Sequence, residues 1–307
     1  MLADPKTAAD ALKHDFPHAA TAVLELDALV RDAAAMDKTY DEDAWRWAIA
    51  SVLSRTLRTK GGARLMIPAV DMLNHGGAAK NIALARERRD GEGNDVIHVV
   101  ATRNIDEGEQ LLFTYGDTRA NDDFFLYYGF FVPGVGHDLV RLWDDVGACA
   151  AWAGLDARTA QAAAASAPGA QPEEGDAVPR VPMLPLSALQ AGTPERVQAP
   201  FRLHDDVALG GRGDRVPLAE EVLARADGFV DTRAIAVLMA ASGGTSTLPP
   251  EAAINAVARA IAARCEELLA ACLDEREHGA GGGIAAGYRR EKKAVLARLR
   301  DGMGCVR

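Results

Sequence analysis

The sequence lacks any uninterrupted run of 18 or more apolar residues, so it predicts no transmembrane helix. It also lacks an excess of positive charge: the formal net charge is −10 at pH 7 and the pI is near 5.2. A dedicated nucleic-acid binder would carry a basic stripe. Moderate acidity is ordinary for a soluble protein and also suits a basic protein partner. We therefore expect a protein partner, with no nucleic acid and no membrane, and leave the oligomeric state open.

Cysteine is scarce, with 4 residues in 307. None has CxxC spacing or a histidine neighbour at metal-ligand distance, so we expect no metal site. Cys265 and Cys272 lie on one predicted helix, where buried thiols pack as small hydrophobic groups. This usage indicates a reducing compartment. We expect the cytoplasm, with plastid and nucleus as open alternatives, and no targeting segment, because the first 40 residues are rich in acids.

The chain is long enough for two domains, since 307 residues with 49% hydrophobic content bury a substantial core. Residues 1–40 predict a helical segment that Pro17 interrupts. The flanking His14 and His18 are interpreted as surface side chains. Asp41–Lys60 predicts a helix that ends at a glycine pair, with an apolar face formed by Trp45, Ile49, Val52, Leu53 and Thr56.

Short strands are predicted next, in an antiparallel β-meander. Residues 81–88 and 96–101 predict a hairpin, because apolar residues alternate on both sides of a turn-rich segment. Gln110–Tyr115 predicts the third strand. Asn121 is a candidate N-cap for a short helix through Leu126.

The region after residue 133 predicts a second, α-helical domain over 134–307. Residues 160–185 are rich in Ala, Pro and Gly without clear period, which indicates a mobile insertion. Helices are predicted at Leu218–Arg225, Asp231–Ala241, Pro250–Arg276 and Ile284–Arg300. The expected fold class is α+β.

Met66–His75 and Gly108–Phe130 are the densest polar segments between apolar ones. They read MIPAVDMLNH in the first case, and GEQLLFTYG followed by an aromatic YGF in the second. Asp, Asn, His, Tyr and Gly recur within this short span. The pattern predicts a small-molecule site.

These motifs resemble those of a SET domain. IPxxDxxNH at 67–75, GEQLLFTYG at 108–116, Asn121 and YGF at 128–130 occur in the order of SET domains of the Rubisco large-subunit lysine methyltransferase and histone-lysine methyltransferase type. The helix WRWAIASVLSRTLR is similar to the insert that precedes the NH motif in that family. The resemblance implies a partial SET domain over 41–133 and a Rubisco-substrate-binding-like domain over 134–307, whose AxxYRxEKxxVLxxL ending matches 285–299.

The resemblance implies S-adenosylmethionine (SAM) as cofactor and methyl transfer to a protein lysine. By the same resemblance, Tyr115 is the catalytic tyrosine and also contacts the cofactor, and Tyr128 is a second catalytic residue that lines the lysine channel. Asn74 and His75 hold the cofactor, and Arg55 faces the cofactor or the substrate. Asp71 orients the NH segment.

Two alternatives stay open beside lysine methylation. A sister branch of the family methylates a histidine of actin, but it differs at the positions of Leu57 and Val70, which favours lysine here. The other alternative is a catalytically inactive, SET-derived scaffold that binds a protein. Family members also carry a Gly-containing strand-turn around the cofactor, and the first 40 residues show nothing that resembles it. We therefore expect this chain alone to bind SAM weakly or not at all.

Overall fold

The computed structural model describes residues 5–58, 64–87, 96–117, 119–169, 180–185, 201–202, 221–243, 251–272 and 283–304. Its helices and mainly antiparallel small sheets confirm the predicted α+β class. The chain divides into two compact units. The first comprises Val30–Arg119 with Met1, and the second comprises Leu2–Leu29 with Ala120–Arg307.

Two helices begin the described chain, α1 (Pro5–Leu12) and α2 (Pro17–Met36), as the interrupted pattern predicts. Pro17 is the first residue of α2, where its missing N–H removes no helical hydrogen bond. Within the second unit, the apolar side of these helices packs with Phe125 and Tyr288 in one buried cluster.

The next helix, α3, runs over Glu42–Arg55. Asp41 caps it by accepting a hydrogen bond from the backbone N–H of Ala44 at 2.9 Å. The helix ends five residues before the predicted Lys60, because Thr56 is extended and Leu57–Arg58 (β1) pairs with Arg64–Leu65 (β2). The pairing supplies backbone hydrogen bonds that a longer helix would otherwise make.

The predicted apolar face of α3 is only partly buried. Leu53 is 5% exposed, whereas Val52 is 44% exposed. Leu53 is one of few buried apolar side chains among the described residues of the first unit, with Val30, Val70, Ile82 and Phe113.

A second group of short elements follows in the first unit. They are the 3-10 turns Val70–Met72 and Gly77–Ala79 and the strands β3 (Asn74–His75), β4 (Ile82–Glu87), β5 (Val96–Ala101) and β6 (Leu112–Phe113). Strands β4 and β5 form the predicted antiparallel hairpin. The third strand differs from the prediction: it is shorter, and it pairs in parallel with β3 instead of extending the meander.

Buried Asn81 explains this change of partner. Its side-chain oxygen accepts a hydrogen bond from the N–H of Leu112 at 2.8 Å, and its own N–H donates to the Leu112 carbonyl at 2.9 Å. Both backbone groups of Leu112 are thereby bonded to Asn81, the residue before β4, so they are satisfied without a ladder between β6 and the hairpin.

The second unit combines helices with a four-stranded antiparallel sheet. Its elements are α4 (Asn121–Asp123) continued by a π-helical turn (Phe124–Tyr128), β7 (Leu139–Trp143), α5 (Val146–Trp152), α6 (Ala157–Ala165), β8 (Arg180–Val181), β9 (Met183–Pro185), β10 (Phe201–Arg202), β11 (Val222–Arg225), β12 (Phe229–Asp231), α7 (Thr232–Ala241), α8 (Glu251–Ala271) and α9 (Ile284–Gly304). The sheet order is β7, β11, β12, β9. The helices packed on it share a large apolar core.

Three predicted features of this unit need correction. The predicted helix Leu218–Arg225 is a strand over its described residues 222–225, because β7 and β12 pair with both edges of that segment and override its helical propensity. The predicted insertion 160–185 begins inside helix α6 and ends in strand β9, and residues 170–179 lie outside the described ranges. Asn121 does not cap a helix, because the N-cap is Ala120.

The three remaining helix predictions are confirmed as α7, α8 and α9. Asp231 caps α7 by accepting a hydrogen bond from the N–H of Arg233 at 2.9 Å. Cys149 and Cys265 are buried, and burial raises the pKa of each thiol to about 12. Cys265 packs as a hydrophobic group, as expected, whereas Cys272 is only partly buried.

A buried ion network joins helix α9 to residues 122–139 of the same unit. Lys292 is 1% exposed, and its ammonium donates to Asp138 Oδ1 at 2.8 Å, to the Leu139 carbonyl at 2.7 Å and to Asp122. Tyr288 donates its hydroxyl to Asp122 at 2.6 Å. The three donors of the ammonium are thereby matched with acceptors.

Asn121 completes the network from the motif side. Its amide nitrogen donates to Asp138 Oδ2 at 2.9 Å and to the Val132 carbonyl at 3.0 Å. Its amide oxygen accepts from the Val132 N–H at 2.7 Å. The role of this motif asparagine in the structure is therefore to hold the segment after the π-helical turn.

His18 lies beside this network, with Nε2 at 3.9 Å from Asp122 Oδ1. Burial lowers the pKa of His18 from 6.5 to about 4. The positive charges of Arg141 and Lys292 also lower this pKa, and the carboxylates of Asp122 and Asp144 oppose the shift. The imidazole is thus less exposed than the surface position predicted for it, with 25% of its side chain accessible.

Stability is expected to fall as the pH falls from 6.5 to about 4, because the unfolded chain takes up a proton that folded His18 excludes. The loss is about 2 kcal/mol, since partial exposure reduces the effect of the full shift. Denaturant unfolding of wild type and of His18→Gln between pH 6.5 and 4 measures this loss. The half-exposed His14 provides the control His14→Gln. A wild-type slope retained in His18→Gln contradicts the assignment.

Replacing Gly287 by alanine is expected to destabilise the second unit by about 1–3 kcal/mol, as overpacked cores are. A Cβ at this position of α9 would overlap the ring of Phe131. Gly302→Ala in the same helix is the control, because a Cβ there meets nothing within 4 Å. Thermal unfolding compares the two, and an equal response of both variants rules out the steric explanation.

Candidate functional site

The two predicted polar segments meet where β3 pairs with β6. Asn74 lies opposite Leu112, and His75 lies opposite Phe113. The N–H of Gly76 donates to the Phe113 carbonyl at 2.8 Å, and a Cβ on Gly76 would lie 2.7 Å from Leu112 Cβ. Glycine after the Asn-His pair therefore permits the close approach of the two backbones.

His75 contacts the chain just beyond β6. The N–H of Tyr115 donates to His75 Nδ1 at 3.1 Å, and the two ring centroids are 5.4 Å apart. Because Nδ1 accepts, the neutral ring carries its proton on Nε2. Burial lowers the pKa of His75, as do Arg119 and Lys80, while Asp117 opposes the shift. The imidazole is neutral at neutral pH and presents an N–H donor.

Tyr115 is held at its hydroxyl as well as at its backbone. The hydroxyl donates to the Leu73 carbonyl at 2.8 Å, directly before Asn74. Its ring packs edge-on against Phe113, with centroids 5.2 Å apart. These contacts fix the ring across the start of the Asn-His segment.

Arg55 supports the turn that leads into this segment. Its Nη1 donates to the Asp71 carbonyl at 3.1 Å and lies 3.0 Å from Met72 Sδ. The Asp71 N–H donates to the Ile67 carbonyl at 2.9 Å. Ala69, between them, has a φ of 70°, an unusual value for a residue with a Cβ. The last residue of α3 thus lies against the motif turn.

The predicted residues of the first unit therefore come together. Arg55, Asp71, His75 and Tyr115 are linked through backbone contacts of residues 71–75, and Asn74 is exposed among them. Tyr128 belongs to the second unit, where its partly buried ring lies 6.1 Å from the centroids of both Phe124 and Phe130. Gly129 ends the π-helical turn there with a φ of 75°.

A supporting polar network around Asn81 was not among the predicted site residues. The Asn81 amide donates to Glu109 Oε1 at 3.0 Å and to the Gln110 carbonyl at 2.9 Å. Arg103, together with Asn81, lowers the pKa of Glu109 to about 2. The signal in the sequence was the acidic residue of GEQ, whose partner no local pattern identifies.

Lys80 and Asp117 form a second supporting pair, at 2.7 Å. The hydrogen bond from Lys80 and the positive charge of its ammonium lower the pKa of Asp117. It connects the turn after β3 with the turn after Tyr115. In the described part of the chain, no group of three or more His, Cys, Asp or Glu side chains is arranged to hold a metal ion.

The family comparison matches this part of the chain. The SET domain model matches residues 10–116. This region, which contains the junction of β3 and β6, is therefore a SET domain, and the resemblance of the motifs is confirmed.

Two curated relatives are similar to about a third of this chain. The actin-histidine N-methyltransferase of Gallus gallus is 34% identical over 109 residues, which are 34% of this chain and 17% of that protein. That of Danio rerio is 34% identical over 105 residues, 33% of this chain and 16% of that protein. The aligned chain thus spans about a sixth of the length of these relatives.

Among solved structures, the SET domain of LSMT bound to methyl-lysine and AdoHcy superposes with a TM-score of 0.47 at 17% identity, over 94% of this chain and 64% of that one. The structure of Rubisco LSMT bound to AdoMet gives a TM-score of 0.43 at 14% identity, over 93% and 63%. Within the described ranges, no helix has both the length and the apolar character needed to cross a membrane.

Proposed function

We propose that this chain transfers a methyl group from SAM to a side-chain nitrogen of a protein, with lysine as the acceptor. The observation that carries the proposal is the junction of β3 and β6, which joins the Asn-His segment to the tyrosine of FTYG inside the SET region.

The residues at the junction fit such a cofactor by their chemistry. The exposed Asn74 amide, the Nε2–H of neutral His75 and the Arg55 guanidinium are hydrogen-bond donors. SAM carries a carboxylate and purine nitrogens, which accept such bonds, and it supplies an electrophilic methyl group. We therefore assign Asn74, His75 and Arg55 to cofactor binding.

Tyr115 is proposed as the catalytic residue, and Tyr128, which belongs to the second unit, stays a candidate on the motif resemblance alone. A methyl acceptor must be a neutral nitrogen held about 3–3.5 Å from the methyl carbon. Free lysine has a pKa near 10.4 and is mostly charged, so the site must exclude water and orient the amine after its proton leaves. A fixed tyrosine hydroxyl orients the amine by hydrogen bonding and stabilises developing charge without acting as a strong base.

Histidine is a second candidate acceptor, because the two relatives that match about a third of this chain are named actin-histidine N-methyltransferases. An imidazole has a pKa near 6.5 and already presents a neutral nitrogen at pH 7. The two acceptors therefore differ in pH dependence. Lysine methylation rises with pH well above neutrality, whereas histidine methylation levels off near pH 7.

The test supplies labelled SAM and matched peptides that carry lysine, histidine or alanine at the centre. Transfer to the lysine peptide supports the proposal, and transfer to the histidine peptide alone redirects it. Because weak cofactor binding is expected, the assay uses saturating SAM and calorimetry measures the affinity. Asn74→Ala should abolish binding, and Asn104→Ala, at another exposed asparagine of the first unit, should retain it. Protein binding without cofactor binding or transfer favours the inactive scaffold.

A further inference from the structure

We infer that Arg119 is a positioning residue that holds Tyr115 in place through its main-chain carbonyl. Arg119 Nε donates to the Tyr115 carbonyl oxygen at 2.6 Å. The inference rests on the proposed function for its catalytic consequence. The contact itself lies entirely within the first unit.

Tyr115 lies beyond the end of β6, whose two residues are Leu112 and Phe113. Its main chain is instead bonded to side chains on both sides, to His75 at its N–H and to Arg119 at its carbonyl. A hydrogen bond that involves a charged group is stronger than a neutral one. Arg119 therefore contributes the stronger of these two attachments.

Gly116 makes this approach possible. Its φ is 147°, and a Cβ there would lie 2.7 Å from Arg119 Cγ and 2.8 Å from Nε. The arginine side chain thus packs directly on the backbone that follows Tyr115. A larger residue at position 116 would displace it.

The neighbouring Lys80 and Asp117 pair bonds the same turn to the segment after His75. The turn is consequently attached at Asp117 and at the Tyr115 carbonyl, on either side of Gly116. Of these two attachments, only the one made by Arg119 bonds the main chain of the catalytic tyrosine itself. Its loss should alter the position of the hydroxyl more than the binding of the cofactor.

The test compares Arg119→Ala and Arg119→Lys with the exposed-cation control Lys38→Ala. We expect Arg119→Ala to lower kcat about 10-fold to 100-fold, because small misplacements of reacting groups have effects of this size. The KM for SAM and the Tm should stay unchanged, and added guanidinium should restore part of kcat. Gly116→Ala should reproduce the loss. A raised KM with unchanged kcat, or no change, overturns the inference.

A readout without turnover separates this inference from the proposed function. If the wild-type protein shows no detectable methyl transfer, the proposed function fails. NMR can still measure hydrogen exchange at the Tyr115 amide and the chemical shifts of the His75 ring nitrogens. Arg119→Ala should speed amide exchange at Tyr115 about 10-fold, by loss of local protection, and should shift the His75 Nδ1 resonance. Where Arg119→Ala does not fold, Arg119→Lys takes its place. An unchanged amide in the folded variant overturns the inference.

Discussion

Replacement of Lys292 by methionine is expected to lower the free energy of unfolding of the second unit by about 3–5 kcal/mol, as breaking a buried ion pair from one side does. Methionine fills a similar volume but leaves Asp138, which is 1% exposed, without its cation. Despite the opposing effect of burial, Lys292 and His18 hold the pKa of Asp122 at about 2. The variant removes the larger of these two attractions.

Denaturant unfolding at pH 7 measures the change, with Lys13→Met as the control. Lys13 pairs with Asp10 at 3.1 Å, but both side chains are at least 70% exposed, so its replacement should alter stability by less than about 1 kcal/mol. A lowered pKa of Asp122 stabilises the fold above pH 3.8, and this contribution is lost as the pH falls towards 2. The stability difference between wild type and Lys292→Met should therefore shrink as the pH falls from 3.8 towards 2. Equal stability of the two variants contradicts this role of the network.

Replacement of Tyr115 by phenylalanine is expected to reduce methyl transfer about 100-fold to 1000-fold, the usual effect of removing one positioned hydrogen-bonding group at a reacting centre. The ring remains packed on Phe113, and only the hydroxyl bonded to the Leu73 carbonyl is lost. The effect should fall on kcat. The KM for SAM should change little, because Asn74 and His75 stay in place.

Tyr40→Phe is the matched control, since Tyr40 lies in the first unit and is 60% exposed. It should keep full activity. Single-turnover rates with labelled SAM separate chemistry from product release. Methyl transfer by Tyr115→Phe at the wild-type rate would show that the Tyr115 hydroxyl has no catalytic role, and Tyr128 would be the next candidate.

Local patterns predict the helices of this protein well. Pro17 divides α1 from α2, and apolar periodicity predicts α8 and α9 within a few residues of their ends. Strands that form by pairing with distant segments are harder to predict from local patterns. Val222–Arg225 is helical by local pattern, and only pairing with β7 and β12 makes it a strand.

The candidate site shows the same division. The motif order points to Asn74, His75 and Tyr115 without a structure, because residue type and spacing along the chain carry the resemblance. Their linkage depends on the parallel pairing of β3 with β6 and on buried Asn81, which hydrogen-bonds both backbone groups of Leu112. No local pattern specifies that pairing, since it joins segments more than 30 residues apart.

The sequence alone predicts a SET domain, the α+β class and the motif residues Asn74, His75 and Tyr115, since these follow from local periodicity and ordered motifs. Tertiary structure was needed to show that Lys292 is a buried cation, that Asn121 bonds Asp138 and that Arg119 contacts Tyr115. Each of these roles depends on a side chain meeting a distant or turned-back segment. Burial then determines whether the same charge is a solvated surface group or a stabilising partner.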